Sequence, residues 1–215
     1  MNPPVSKGPS RGPRLKEVAA VVVVPGVLAF FVLSALSGAK HMARMLACTN
    51  NVKQIGLAER IFTNDHRDRF PMEVPVNEGG TKEFLGFGVV VPHFLVISNE
   101  LSVPKLLLCP ADTRTAASNF GELRDWNIGY FVGLDARGED SKSILTGDRN
   151  ITNDLPGKAR ILFLTTNQPV DWRKEIHQHW GNLLPGDGTV QQVDSAGLQQ
   201  TLRDSGVATN RLAIP

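Results

Sequence analysis

The 215-residue sequence holds two cysteines, one tyrosine and almost no excess of charge. Cys48 and Cys109 are too few for a disulfide scaffold, and they stand too far apart for a zinc-binding spacing. A net charge of +2 gives no argument for nucleic acid, and no basic stripe interleaved with aromatics is present. Catalytic signatures are missing too: there is no Walker loop, no Gly-x-Ser-x-Gly elbow and no His-Glu-x-x-His. The sequence therefore reads as that of a protein that is not an enzyme and uses no cofactor. Its length allows one membrane element and one globular domain of ordinary size.

What the chain does have is a run of twenty-two residues without a charge, 18–39, VAAVVVVPGVLAFFVLSALSGA. As a helix it would be roughly 33 Å long at about 1.5 Å per residue, enough to cross a hydrocarbon core of about 30 Å. Apolar residues surround it on all sides, and the rest of the sequence offers no large helical core to bury it. Pro25-Gly26 and the small residues Ser34, Ser37 and Gly38 are tolerable in lipid, where small residues favour helix packing. Residues 1–16 form a Pro/Gly/Ser tract carrying Lys7, Arg11, Arg14 and Lys16, expected to be disordered in water. Lys40, Arg44 and Lys53 come after the run, so positive charge favours a cytoplasmic amino terminus by a narrow margin.

The helical pattern continues past Ala39. Met45, Cys48, Val52, Ile55 and Phe62 recur at spacings of three, four, three and seven, which is one apolar stripe. Gly56 beside the stripe predicts close approach of another element, and Phe70-Pro71 predicts the stop. The expected organisation is a leader at 1–16, a continuous helix at 17–69 (membrane span 18–39, stalk 40–66) and a globular domain at 70–215. Within that domain EVPVNEGGTKEF reads as strands about a Gly-Gly turn, and VPKLLLCP as a strand-to-turn unit; HFLVISNEL fits a short helix or a strand. NIGYFVGL reads as a strand, ARILFLTT as a strand buried on both faces, and GNLLPGDGTVQQV as a hairpin turning at 185–188. A last helix, AGLQQTLRD, is capped by Asp194 or Ser195 and ends before Gly206. The fold class is α+β, with a long amino-terminal helix packed on a small, mainly antiparallel sheet.

Gly12, with Glu17 five positions later and then the apolar run, resembles the processing segment of type IV prepilins and pseudopilins. CTNNVKQIGLAERIFTNDHRDRFP is similar to the segment beyond the span in pseudopilin-like proteins of type II secretion. His177, nine residues and then Asp187-Gly188 are similar to the carboxyl-terminal signature of a large bacterial group of such proteins. The resemblance implies a pilin-like fold and a subunit that assembles with other pseudopilin-like subunits through its amino-terminal helix. It also implies a single-pass protein of the cell inner membrane, with a cytoplasmic amino terminus and a periplasmic carboxyl-terminal domain. Pro13 departs from the pattern, which expects a bulky residue there. A proline removes the scissile amide N–H and fixes φ, so cleavage after Gly12 should be poor. The alternative is an anchored extracytoplasmic binding domain that no longer polymerises.

Cys48 on the stripe and Cys109 at the end of an apolar run point into one core, either as a disulfide or as two buried thiols. His177 and His179 with Asp171 or Glu175 lack a further ligand at diagnostic spacing and read as a polar loop. Asp135, Asp140, Asp148 and Asp154 are hard oxygen donors in Gly-rich loops without a calcium-loop pattern. No metal is therefore assigned from the sequence, and Asp187 reads as a turn former.

Overall fold

The computed structural model describes residues 15–153 and 160–215. Contacts divide the chain into two compact units, Met1–Met42 and Ala43–Pro215. In the first unit the described residues belong to helix α1, Leu15–Asp65, which runs unbroken through Pro25. This helix is long and apolar enough near its start to cross a membrane, and none of its apolar window is buried.

The second unit begins with the rest of α1. Four of the five stripe residues, Cys48, Val52, Ile55 and Phe62, lie in one core together with Ala58, whereas Met45 at the start of the stripe is only half-buried. The helix closes at a left-handed Arg67 (φ 59°), with the Asp68 amide donating to the Thr63 carbonyl at 2.9 Å. A Cβ on Gly56 would come 2.8 Å from a Leu184 methyl, which is the close approach predicted there.

Between α1 and the sheet the chain makes turns where the sequence predicts strands. Residues Pro71–Glu73, Val76–Glu78, Lys82–Phe84 and Pro104–Leu107 are 3-10 turns. EVPVNEGGTKEF is therefore not a hairpin, and VPKLLLCP does not begin as a strand. Prolines at 71 and 104 fix φ at the helical start, and Gly79 (φ 87°) ends the middle turn in the left-handed region. HFLVISNEL contributes to the short helices α2, Val91–Leu95, and α3, Ser98–Leu101.

Eight strands come next among the described residues: β1 Tyr130–Gly133, β2 Ile144–Asp148, β3 Ile151–Thr152, β4 Ile161–Thr165, β5 Asp171–Trp172, β6 Trp180–Pro185, β7 Gln191–Asp194 and β8 Thr209–Ala213. Six form one sheet in the order β4-β8-β1-β2-β6-β7, and β3 pairs with β5. Every ladder among the described residues is antiparallel. The sheet is covered on both faces. Tyr130, Val132 and Leu184 join the α1 core, whereas their sequence neighbours Phe131 and Leu183 join a second core with Leu164, Trp172, Leu198, Leu202 and Leu212.

The short helix α4, Lys174–His177, precedes β6. Leu198 and Leu202 belong to α5, Ser195–Asp204, whose Asp194 cap accepts from the Gly197 amide at 2.8 Å. The edge strand β4 departs from its expected environment. The sequence predicts burial on both faces, but Phe163 is half exposed while its neighbour Leu164 is fully buried, so the strand is covered on the Leu164 face only at this point.

Candidate functional site

Four elements of the second unit deliver side chains to one buried point. Cys48 comes from the α1 stripe, Cys109 from the turn after Pro104–Leu107, Asp148 from the end of β2 and His177 from the end of α4. Antiparallel register sets Asp148 opposite Tyr130, so both side chains leave the sheet on the α1 face. Cys109 is fixed by its own turn: Asp112 takes a two-pronged ion pair from Arg149, at 2.6 and 2.8 Å, one residue beyond Asp148. Gly129 lies close against that turn, its Cβ position only 3.0 Å from the Cys109 amide nitrogen, so a larger residue would push the loop outward.

The Cys48 thiol donates to Asp148 Oδ1 at 3.3 Å, and Cys48 Sγ also lies 3.3 Å from the Tyr130 hydroxyl. Cys109 Sγ is 3.3 Å from His177 Nε2, and that same nitrogen is 3.6 Å from Asp148 Oδ2. Asp148 Oδ2 further accepts from the backbone and side-chain nitrogens of Asn182, at 2.7 and 2.8 Å. The Thr49 hydroxyl orients Asn182 by donating to its Oδ1 at 2.8 Å. One ligand-capable atom from each of Cys48, Cys109, Asp148 and His177 lies within 4.8 Å of the other three. The cysteines are free thiols, and the whole group is sealed, with 0–2% of each residue exposed.

Burial dominates the electrostatics. It pushes the Cys48 thiol up, assisted by Cys109 and the Asp148 charge. Cys109 is held down, first by the neighbouring Cys48 and then by His177, against the upward push of burial. Burial also raises the Asp148 carboxyl, although the His177 charge and the Asn182 bonds oppose it. For His177 burial is again the largest influence and pulls downward. The Cys109 bond and the Asp148 and Cys109 charges outweigh it and raise the imidazole.

A nucleophilic triad needs one imidazole nitrogen toward the thiol and the other toward the carboxylate. Here Nε2 faces both, and no solvent reaches the sulfur. The arrangement instead concentrates two sulfurs, one nitrogen and one carboxylate oxygen around a point, which is a donor set.

The other sequence candidates disperse. His179 points away, its Nδ1 2.9 Å from the Trp172 carbonyl, because Gln178 and His179 both adopt positive φ and turn the chain. Asp171 serves the Trp172 amide, and Glu175 lies 3.6 Å from Arg149. Among the hard-oxygen candidates, Asp135 is bound by Arg211 at 2.6 Å, Asp140 accepts from the Lys142 amide, and Asp154 lies outside the described residues. Asp187 accepts from the Thr189 amide and hydroxyl beside left-handed Gly188 (φ 82°), as expected of a turn former. Gly12 and Pro13 lie outside the described residues, and Glu17 falls within α1.

The sequence singles out three of the four donors, Cys48, Cys109 and His177, for separate reasons, and Asp148 as one of four loop acids. Their spacings of 61, 39 and 29 residues follow no motif. No family model, curated protein or solved structure matches this chain.

Proposed function

We propose that the chain is a membrane-anchored, pseudopilin-like structural subunit that assembles with other such subunits through its amino-terminal helix. One observation carries the reading. Along α1, Val23, Val27, Leu28, Phe30, Val32, Leu33 and Leu36 each leave about half or more of their surface open, 49–69%. So much contiguous apolar surface on a soluble chain would drive aggregation; lipid or neighbouring helices must cover it. Support comes also from the α+β architecture of the second unit and from the Gly12 to Glu17 segment. The reading gives the protein a location at the inner membrane, with residues 1–16 cytoplasmic and the carboxyl-terminal domain periplasmic. It assigns no catalytic residue.

A second reading, an anchored extracytoplasmic domain that does not polymerise, is favoured by Pro13 alone. Mass spectrometry of the membrane fraction bears on the two, because a chain starting after Gly12 marks assembly of the usual pseudopilin type, whereas the uncleaved chain that Pro13 predicts would assemble through the apolar faces of its helix alone. In the same preparation, a Leu28→Cys variant treated with oxidant should give disulfide-linked dimers if helices pair. A monomeric band together with an intact Met1 end would reject the assembly reading, and release of the chain by alkaline extraction would reject the anchor.

A further inference from the structure

We propose that Cys48, Cys109, Asp148 and His177 form a four-coordinate site for a zinc-class divalent cation. In a tetrahedral site with ligand bonds of about 2.0–2.3 Å, neighbouring donor atoms are separated by roughly 3.3–3.8 Å. Three contacts among the donors fall in that range: 3.3 Å from Cys48 Sγ to Asp148 Oδ1, 3.3 Å from Cys109 Sγ to His177 Nε2, and 3.6 Å from His177 Nε2 to the other Asp148 oxygen, Oδ2. The four ligand atoms lie within 4.8 Å of one another, so the remaining pairs close by at most a small shift on binding. Hydrogen bonding alone makes poor use of them, since a thiol is a weak donor and a single imidazole nitrogen faces two partners. A cation at the centre satisfies all four at once.

The donor chemistry selects the ion. Two sulfurs and an imidazole suit zinc and are wrong for calcium or magnesium, which take oxygen. Four protein donors in a sealed pocket describe a closed structural site rather than one that keeps a position open for substrate. Outer contacts of the usual kind are present. Asn182 grips Asp148 with two nitrogens, Thr49 holds Asn182, and the Ala111 amide donates to Cys109 Sγ at 3.4 Å. The ligands bind as two thiolates, a carboxylate and a neutral imidazole, so loading releases protons to solvent. The ion would tie α1 to a loop, a strand and a short helix spread from residue 48 to residue 177, a task for which the chain has no second pair of cysteines.

The test uses the full chain, purified in detergent without chelator. We expect stoichiometric zinc by elemental analysis and two titratable thiols after denaturation with chelator and without reductant. Replacing zinc with cobalt(II) should give thiolate-to-metal charge transfer and the intense visible bands of a tetrahedral site. Asn182→Leu should weaken zinc binding about 10–100-fold, and His177→Gln should abolish the cobalt spectrum. If His177→Gln does not fold, the wild-type cobalt spectrum decides. A wild-type chain that takes up no stoichiometric metal after loading overturns the proposal. So does one that yields no free thiols, the mark of a Cys48–Cys109 disulfide, or one whose metal is retained when both cysteines are replaced by serine.

Discussion

Glu59 lies one turn beyond Ile55 on the buried face of α1, 4% exposed, and its Oε2 has no hydrogen-bond partner among the described residues. Burial pushes its carboxyl up to about 8, from an ordinary value near 4.5. The folded protein thus holds a proton that the unfolded chain gives up. Stability contributed by this group is full below about pH 4.5, falls as pH rises and is lost above about 8. Glu59→Gln, which keeps the shape without the charge, should remove that slope and stabilise the protein by on the order of 1–3 kcal/mol at pH 9. Urea midpoints of wild type and variant at pH 5 and pH 9 check it; equal losses in both would show that Glu59 is not the group responsible. A steric prediction belongs at the same scale. A Cβ on Gly147 would sit 2.5 Å from the Asn182 carbonyl oxygen and 2.8 Å from the Phe131 ring. Gly147→Ala should therefore cost about 1–3 kcal/mol, read as a lower thermal midpoint.

Among the elements, the loop that presents Cys109 is tied to the end of β2 by an ion pair, besides the bonds from Asn51 to the Leu108 carbonyl and from the Gly129 amide to the Leu107 carbonyl. Asp112 has no exposed side-chain surface and Arg149 only 15%, so removing the arginine leaves a carboxylate buried without its partner. Arg149→Ala should cost about 3–5 kcal/mol, and Arg149→Lys should recover only part of this because it restores the charge but not the fork. The reaction of Cys109 with a thiol reagent in the folded, metal-depleted protein should accelerate in the alanine variant. Unchanged reactivity would mean that the loop is held by other contacts.

Elements set by local rules were legible in the sequence: the α1 stripe, the Asp194 cap of α5 and the β6–β7 hairpin all depend on neighbours within a few residues. Those set by distant partners were not. Strand β8, TNRLA, has Asn210 and Arg211 at its centre and shows little apolar alternation. It is a strand because β4 and β1 hold it from either side, with Arg211 held by Asp135. The turns at 71–84 and 104–107 carry strand-like composition overruled by proline. The donor cluster was illegible as a set, since its members meet only after α1, β2 and α4 have packed.

For the whole molecule, the predictions concern orientation and processing. A reporter active only in the cytoplasm and fused after Pro215 should be silent, and activity there would reject the orientation argued from Lys7, Arg11, Arg14 and Lys16. Replacing Pro13 with Phe should increase cleavage after Gly12 by a prepilin peptidase. Clean cleavage of the unaltered chain would refute the argument from proline.

The sheet order also has a consequence in time. β8 lies between β1 and β4, yet it is the last of the eight strands to be synthesised. Until residues 209–213 emerge, β1 has an open edge and β4 lacks its neighbour β8 in the main sheet. At about 5–20 residues per second, roughly ten to thirty seconds separate the end of the apolar run from the arrival of β8. Under the proposed topology, a nascent chain would spend that interval tethered at the bilayer with an unfinished sheet, and crowded copies could pair edge to edge before each closes its own. If the chain is anchored as proposed, the order of translation places the greatest risk of misassembly after anchoring and before folding.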